Sequence, residues 1–335
     1  MIWNRLVTVL LSLSIANAAG AQDPALIEAA KKDGGKVVLY GSLETPVVEA
    51  VTGAFQKKTG LSVQYWRASA MSVMNRAMSE YRAGNALYDV VLNNSDPLYI
   101  MHTEGMLASY DSPTAKKYSK DQIDPRLGPV SRLGIVGVVY NKTAVRADKA
   151  PPRSLEDVVD PKYRGMLVMA DPTLHVTTIQ WLNSLPKVMG KEKAEKFIAD
   201  LAAMKPVLVE SMLPVGERIT TGEFPIGITF VKYVYTYGKQ GVPLDYVRLE
   251  RMLGDTHFAV LSNKAPHPNA AKAFIDYYLD DESMKILAQS GEFANRKGIY
   301  PPIDGVDRIQ YIQMDHLDAK AFEEKKKQYA KIFRR

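Results

Sequence analysis

Polar side chains gather where an apolar stretch leads into a helix, in the segment DPTLHVTT at residues 171–178. The run GMLVMA before it has the composition of a buried strand, and an amphipathic stretch, IQWLNSL, follows. Asp171 and Pro172 suit a turn, and either Asp171 or Thr173 suffices as the helix cap. A cap needs only one hydroxyl or carboxylate, so the segment holds more polar groups than the helix requires.

The surplus groups of this segment are His175, Thr177 and Thr178. Backbone N–H groups and the positive end of a helix dipole bind carboxylate, phosphate or phosphonate oxygens at such a place. The pattern therefore predicts an anion-binding helix entrance that includes Thr173. The alternative is that Thr177 and Thr178 face water on the first helical turn.

A second group with the same character follows a strand in the first half of the chain. Arg67 and Ser69 precede Met71 and Ser72 at the start of a predicted helix. A cation beside hydroxyls at a helix N-terminus predicts a site for an oxyanion. The alternative is an exposed arginine with Ser69 acting only as the cap.

Two further strand ends carry candidate ligand-binding residues. Ser42 and Glu44 end the first strand, where turn chemistry with Thr45 as the cap is the alternative. Ser95 ends the third strand, and there Ser95 or Asp96 as the helix cap is the alternative to a role in binding.

A last cluster, IGITFVKYVYTYG at residues 226–238, brings a lysine and three tyrosines together after an apolar strand. Gly238 and Gly241 predict a short helix here that points the tyrosines in different directions. Lys232 either faces solvent or supplies a charge to an anionic ligand, and Tyr233 is the strongest candidate of the cluster.

The elements that position these residues alternate between strand and helix. Continuous apolar strands linked by helices predict a mostly parallel sheet covered on both faces. The predicted strands lie at 36–42, 61–69, 88–95, 166–170, 206–211, 224–230 and 243–249. Helices are predicted at 46–58, ended by Gly60, at 71–83, ended by Gly84, and at 318–333.

Two longer predicted strands, at 132–142 and 254–264, flank a block that has its own strands. They predict a second α/β lobe inserted into the first, joined to it by two crossover strands at a hinge, with a ligand in the cleft between the lobes. We assign residues 22–134 and 258–300 to the first lobe and residues 135–257 to the second. Residues 301–335 form a C-terminal helical segment expected to pack on the second lobe.

Fragments spread over most of the chain resemble the family 1 periplasmic solute-binding proteins of ABC importers, in particular their ferric-ion-binding branch. They include LYGSLE, YDVVLNNS, VGVVYNK, TGEFPIGIT and AVLSNKAPHPNAAKAFIDYYLDDE. The resemblance implies a type II, Venus-flytrap fold of two α/β lobes. It also implies a protein that closes on one solute and delivers it to a permease in the inner membrane.

In the ferric branch, two adjacent tyrosines hold the iron, with a histidine and a carboxylate from the first lobe and often a synergistic anion. Tyr233 matches one tyrosine, but Lys232 stands in place of its neighbour, and no histidine lies near Glu44. Ferric iron prefers several anionic oxygen ligands, and an ammonium changes the charge in the wrong direction. The predicted solute is therefore a small anion, with iron held by Tyr233 and Glu44 as the alternative and no other metal or cofactor.

Composition excludes several other classes. The 335 residues carry a formal charge of +6 and contain no cysteine, which rules out disulfides and thiolate metal sites. The basic residues are dispersed apart from KKK at 325–327, so nucleic-acid binding is not predicted. None of the common catalytic motifs is present, so we predict no enzyme; a secreted enzyme with an unfamiliar carboxylate pair and a surface interaction protein are the weaker alternatives.

The first 21 residues predict export. They combine a single cation, Arg5, an apolar run at 6–15 and small residues that allow cleavage after Ala18 or Ala21. We expect a periplasmic protein that acts as a monomer.

Overall fold

The computed structural model describes residues 23–145 and 150–333. The predicted signal peptide, residues 1–21, lies outside the described residues. Within the described ranges, no helix has the length and apolar character needed to cross a membrane.

Strands and helices alternate along the chain. The strands are β1 (Lys36–Gly41), β2 (Ser62–Arg67), β3 (Val90–Asn94), β4 (Leu107–Ala108), β5 (Ile123–Asp124), β6 (Gly128–Pro129), β7 (Arg132–Asn141), β8 (Leu167–Ala170), β9 (Val207–Val209), β10 (Ile226–Phe230), β11 (Leu244–Tyr246), β12 (Arg251–Ser262), β13 (Phe293–Ala294) and β14 (Gln310–Gln313). The helices are α1 (Pro24–Lys32), α2 (Thr45–Thr59), α3 (Ala70–Arg82), α4 (Ser95–Thr103), α5 (Val176–Ser184), α6 (Pro186–Met189), α7 (Lys191–Ala203), α8 (Met212–Thr220), α9 (Tyr233–Gly238), α10 (Pro268–Tyr278), α11 (Asp281–Gln289) and α12 (Ala319–Ile332).

The local sequence explains where these elements stop. Helix α2 has a proline in its first turn and ends at Gly60, whose φ of 74° is the left-handed conformation that glycine adopts without strain. Strand β3 is buried at all five positions because helices cover both faces of the sheet. The predicted helix after Lys232 is confirmed as α9.

The sheet runs in the order β2-β1-β3-β12-β7-β10-β8-β9. Its two outer parts are parallel, as predicted: β1 lies between β2 and β3, and β8 lies between β10 and β9. The centre is different, because β12 and β7 run antiparallel to each other and to their neighbours β3 and β10. A mostly parallel sheet therefore describes each outer part but not the two long strands.

The two long strands are the predicted crossovers. Strand β7 pairs with β12 through residues 132–135 and with β10 through residues 136–140. Strand β12 pairs with β7 through residues 254–257 and with β3 through residues 257–261. Each strand thus begins against one lobe and ends against the other, which confirms the two-lobed α/β architecture.

Three hydrophobic clusters form the cores of the two lobes. Two of them cover opposite faces of the first-lobe sheet, one around Phe55 and Phe274 and the other around Tyr88 and Leu98. The third, around Trp181, fills the second lobe. Phe322 and Tyr329 of α12 belong to this third cluster, and β14 adds a parallel strand beside β12.

Candidate functional site

A cavity of about 500 Å³ lies between the lobes, where the strands of both parts of the sheet end. The carboxyl ends of such strands are the usual binding position in open α/β sheets. Eight predicted residues line it: Ser42, Glu44, Arg67, Ser69, His175, Thr177, Lys232 and Tyr233. Three others, Ser95, Thr173 and Thr178, do not line it.

The N-termini of five helices, each of nine residues or more, converge on this cavity. Its lining includes the N-terminal boundary residues of α2 (Glu44), α3 (Ser69), α4 (Asn94), α5 (His175) and α8 (Ser211). Each N-terminus contributes a partial positive charge and unpaired backbone N–H groups. On α2, α4 and α8 the side chain of the boundary residue makes no capping hydrogen bond. The cavity is therefore bordered by the positive ends of several helices.

The start of α3 with the end of the strand before it, residues 67–72, is called the α3 entrance below. Arg67 is exposed and has no hydrogen bond or ion pair with any described residue. Ser69 caps the helix by accepting from the backbone N–H of Ser72 at 3.3 Å, and the two hydroxyls lie 2.8 Å apart. Both predicted roles of Ser69 are thus compatible, since a capping serine also lines the cavity.

The segment at residues 171–178, called the α5 entrance below, is built differently. His175 is the cap of α5, with Nδ1 accepting from the backbone N–H of Thr178 at 3.3 Å. The prediction that Asp171 or Thr173 caps this helix is wrong, because Asp171 accepts instead from the backbone N–H and the hydroxyl of Thr173 at 2.8 and 2.7 Å. Those bonds turn Thr173 toward the loop and away from the cavity.

The two threonines of the first turn of α5 are buried. Thr177 is 2% exposed and Thr178 is 1% exposed, so the alternative in which they face water is wrong. The Thr178 hydroxyl lies 3.1 Å from His175 Nδ1, and the Thr177 hydroxyl donates to Asp255 Oδ2 at 2.6 Å. Protein groups already use the hydroxyls that we predicted for a ligand.

Lys232 neither faces solvent nor points freely into the cavity. Its ammonium is buried and donates to Glu44 Oε2 and to Glu292 Oε1, both at 2.5 Å. The hydroxyl of Tyr233 donates to the other oxygen of Glu44 at 3.0 Å. A first-lobe carboxylate thus meets two donors from the start of a second-lobe helix.

The contacts continue from Glu292 along the two long strands. Arg132 donates to Glu292 Oε2 at 3.0 Å and to His257 Nδ1 at 3.0 Å. His257 Nε2 lies 3.0 Å from Asp255 Oδ1, so the neutral tautomer with a proton on Nε2 satisfies both neighbours. Gly134 faces Asp255 across the strands, and a Cβ there would lie 1.9 Å from the carboxylate, so only glycine leaves room.

The connected side chains form one buried ionic chain under the cavity. Its members, in order, are Tyr233, Glu44, Lys232, Glu292, Arg132, His257, Asp255 and Thr177. The chain links both lobes through the crossover strands.

The protonation states along this chain follow from burial and neighbours. Burial by itself would raise the pKa of Glu44, but the ammonium of Lys232 outweighs it and lowers the pKa to about 2. For Asp255, burial also opposes ionisation, yet His257 and Thr177 lower the pKa to about 2. Burial and the charge of Arg132 lower the pKa of His257, which keeps it neutral.

The His175 imidazole is neutral as well, because burial lowers its pKa to about 4. A neutral ring with Nδ1 accepting from the helix leaves Nε2–H as a hydrogen-bond donor. His175 lines the cavity and can therefore donate to a ligand oxygen without carrying a charge.

Several residues at this site were not predicted from the sequence. Arg132 and His257 line the cavity but lie on strands read only as crossovers, and Glu292 and Asp255 lie just behind the lining. Glu210, an exposed carboxylate after β9, also lines the cavity. One signal was available: charged residues inside apolar crossover strands are costly to bury without partners. Among the described residues, no three His, Cys, Asp or Glu side chains could hold a metal ion.

Comparison with known proteins adds the family. A family model described as bacterial extracellular solute-binding protein matches residues 36–291. The chain is similar to the phosphoglycerate transport regulatory protein PgtC of Salmonella typhimurium, at 24% identity over 273 residues, covering 75% of this chain and 67% of that protein.

Solved structures agree on the fold. Iron-bound HitA from Pseudomonas aeruginosa is 20% identical, with a TM-score of 0.71 over 89% of this chain and 98% of that chain. The periplasmic binding protein AfuA from Actinobacillus pleuropneumoniae, with fructose-6-phosphate bound, is also 20% identical, with a TM-score of 0.68 over 89% and 96%. At this identity the likeness shows a shared two-lobed fold.

Proposed function

Since the chain belongs to the bacterial extracellular solute-binding protein family, we propose that it captures a small anionic solute in the interlobe cavity. Proteins of this family deliver their ligands to ABC permeases. The proposed partner of the loaded protein is accordingly such a permease in the inner membrane. The proposed site of action is the periplasm, reached by export and cleavage of residues 1–21, and the proposed working form is a monomer.

The observation that carries the anionic solute is the convergence of five helix N-termini on one cavity, with Arg67 unpaired beside them among the described residues. Each N-terminus acts as roughly half a positive charge, screened where it meets water. A phosphate, phosphonate or carboxylate group can accept from several backbone N–H groups there at once. Two similar proteins are named with a phosphate compound: PgtC as a phosphoglycerate transport regulatory protein, and AfuA with fructose-6-phosphate bound.

The residues we propose for contact are those that line the cavity with a donor available. Arg67 and Ser69 come from the first lobe, and His175 comes from the second. Ser211 adds a hydroxyl after β9, whereas the hydroxyl of Ser42 lines the cavity but already donates to Asn93 Oδ1 at 3.2 Å. Thr177, Lys232 and Tyr233 support the site through the buried ionic chain.

Ferric iron is the second candidate, favoured by the contact between Tyr233 and Glu44 and by the likeness to HitA. The ammonium of Lys232, 2.5 Å from Glu44, holds the position that a trivalent cation would need. Iron would have to displace this ammonium and deprotonate Tyr233, whose pKa is raised well above its ordinary value by burial and by Glu44. We expect the purified protein to stay colourless with ferric citrate. An orange or red complex that Tyr233→Phe bleaches would make iron the ligand.

The decisive experiment is native mass spectrometry of freshly purified protein, followed by calorimetry with the ligand class recovered. We expect a bound organic anion that is released chemically unchanged after long incubation, since the family consists of solute-binding transport proteins. Recovery of a converted product would indicate an enzyme. Solution scattering should show a more compact envelope with ligand, because the two crossover strands allow the cleft to close. An identical envelope would argue against capture between the lobes.

A further inference from the structure

The carboxylate of Glu44 occupies a particular place between the lobes. It belongs to the first lobe, at the start of α2, and both of its oxygens are bound by the second-lobe residues Lys232 and Tyr233. Its side chain is 19% exposed, whereas that of Glu292 is 1% exposed and that of Asp255 is 0% exposed. Glu44 is therefore the carboxylate of the buried ionic chain that reaches the cavity surface.

The buried ionic chain has no excess positive charge to offer a ligand near Glu44. The buried ionic chain contains two cations, Lys232 and Arg132, and three carboxylates, with His257 neutral. Its formal charge is thus negative by one. Among the described residues that line the cavity, Arg67 is the cation without a carboxylate partner. Together with the helix N-termini, it suits one anionic group.

A second anionic group on the same solute would meet Glu44 inside a closed cleft. Like charges at short range in a partly desolvated cavity repel strongly, and water screens them little there. A hydroxyl or an ammonium at that end would instead find an acceptor. A carboxylate has about four acceptor positions, and Lys232 and Tyr233 occupy two of those of Glu44.

We propose that Glu44 is a specificity-determining residue that rejects solutes with anionic groups at both ends and selects a solute whose second end donates hydrogen bonds. This inference rests on the proposed capture of an anionic solute. It narrows the solute class to a small molecule with one phosphate, phosphonate or carboxylate group and a hydroxyl or ammonium group at the other end.

The test uses three two-carbon phosphates that differ only at the far end: O-phosphoethanolamine, 2-hydroxyethyl phosphate and 2-phosphoglycolate. Calorimetry on the wild-type protein should show that 2-phosphoglycolate binds at least about tenfold more weakly than the better of the other two. In Glu44→Gln the difference should shrink to about threefold or less. Glu44→Asp keeps the charge and should keep the discrimination.

Two matched variants serve as controls. Glu49→Gln makes the same change on an exposed position of α2 and should leave the discrimination at the wild-type value. Glu210→Gln removes the other carboxylate of the cavity lining. If Glu210→Gln abolishes the discrimination and Glu44→Gln does not, the assignment to Glu44 is overturned.

The outcomes separate this inference from the proposed function. Equal binding of all three phosphates by the wild-type protein overturns the role of Glu44 and leaves anion capture standing. No binding of any of them, with no anion recovered from the purified protein, overturns both. Where Glu44→Gln does not fold, equal binding by the wild-type protein still overturns the role of Glu44, and loss of discrimination in Glu210→Gln still reassigns it. Urea midpoints of each variant show whether it folds.

Discussion

The α3 and α5 entrances look alike in sequence, yet the structure uses them in different ways. Each follows a strand and places hydroxyls at a helix N-terminus that lines the cavity. At the α3 entrance, Arg67 and Ser69 are exposed. At the α5 entrance, Thr177 and Thr178 are buried and bound by Asp255 and His175.

The difference comes from what lies on the other side of each helix start. Helix α5 begins against the crossover strand β12, whose buried Asp255 needs donors because an unpaired buried carboxylate is costly. The strand end before α3 lies at the edge of the sheet, since β2 is its outermost strand in the first lobe. The same local pattern therefore leaves side chains exposed to the cavity at the edge of the sheet, where we propose ligand contact, and forms buried contacts between the lobes at the hinge.

The largest expected effect contrasts Arg132, in the buried ionic chain, with Arg67, at the α3 entrance. Arg132→Met removes a buried cation, and Glu292 loses one of its positively charged partners. The free energy of unfolding should therefore fall by about 3–5 kcal/mol. Arg67→Met changes an exposed side chain that has no ion-pair partner among the described residues and should alter the free energy of unfolding by about 0.5 kcal/mol or less. Urea denaturation of both variants without ligand measures this. Similar destabilisation in the two would erase the contrast.

Ligand affinity, unlike folding stability, should depend strongly on Arg67. Arg67→Met removes a charged donor from the cavity and should weaken binding of a phosphate-bearing solute by about 1.5–3 kcal/mol, or roughly ten- to a hundredfold. Arg82→Met, at the C-terminal end of α3, is the matched control and should bind the solute normally. Calorimetry gives both values. Normal affinity in Arg67→Met would remove the α3 entrance from the site.

Lowering the pH should destabilise the contacts of the α5 entrance more than those of the α3 entrance. The pKa of Asp255 is lowered from 3.8 to about 2, so its stabilisation is complete above pH 4 and is lost as the pH falls toward 2. Glu44 behaves in the same way below about pH 4.5. We expect a loss of about 2 kcal/mol from Asp255 over this range, which Asp255→Asn should abolish. An unchanged acid slope of the urea midpoint in Asp255→Asn would show that this carboxylate is not the cause.

Removing single hydroxyls tests the buried contacts of the α5 entrance. Thr177→Val takes away the donor of the shortest hydrogen bond to the buried carboxylate of Asp255 and should cost about 1–3 kcal/mol of folding stability. Thr178→Val should cost less, because its partner His175 is neutral and keeps the backbone N–H donor. Thermal and urea unfolding rank the two variants. The reverse ranking would show that the link to Asp255 matters little.

The smallest effect belongs to the α3 cap. Ser69→Ala should lower folding stability by about 1 kcal/mol, since one helix-end N–H loses its acceptor. The same change should also weaken solute binding if Ser69 contacts the ligand, whereas Ser69→Thr should restore both. A stability loss with unchanged affinity would make Ser69 a cap alone.

The sequence by itself determined the strand–helix alternation, the two long strands and eight of the residues that line the cavity. These features depend on local periodicity and on the rule that helix starts follow strand ends, so Glu44, Arg67, His175 and Tyr233 could be found from it. Only the tertiary structure decided the antiparallel pairing of β7 with β12 and the partners of Lys232. A charge finds its partner by proximity in space, and Glu292 lies 60 residues from Lys232 in the chain.

The threonines of the α5 entrance show a second limit. Their residue types and spacing fit a ligand site, but Asp171 and His175 take up the hydroxyls of Thr173 and Thr178 from two and three residues away, and Asp255 takes up that of Thr177 from 78 residues away. Whether a polar group at a helix entrance is available to a solute depends on every acceptor that the folded chain brings near it. That competition is settled by packing across the hinge, between residues as far apart as Thr177 and Asp255.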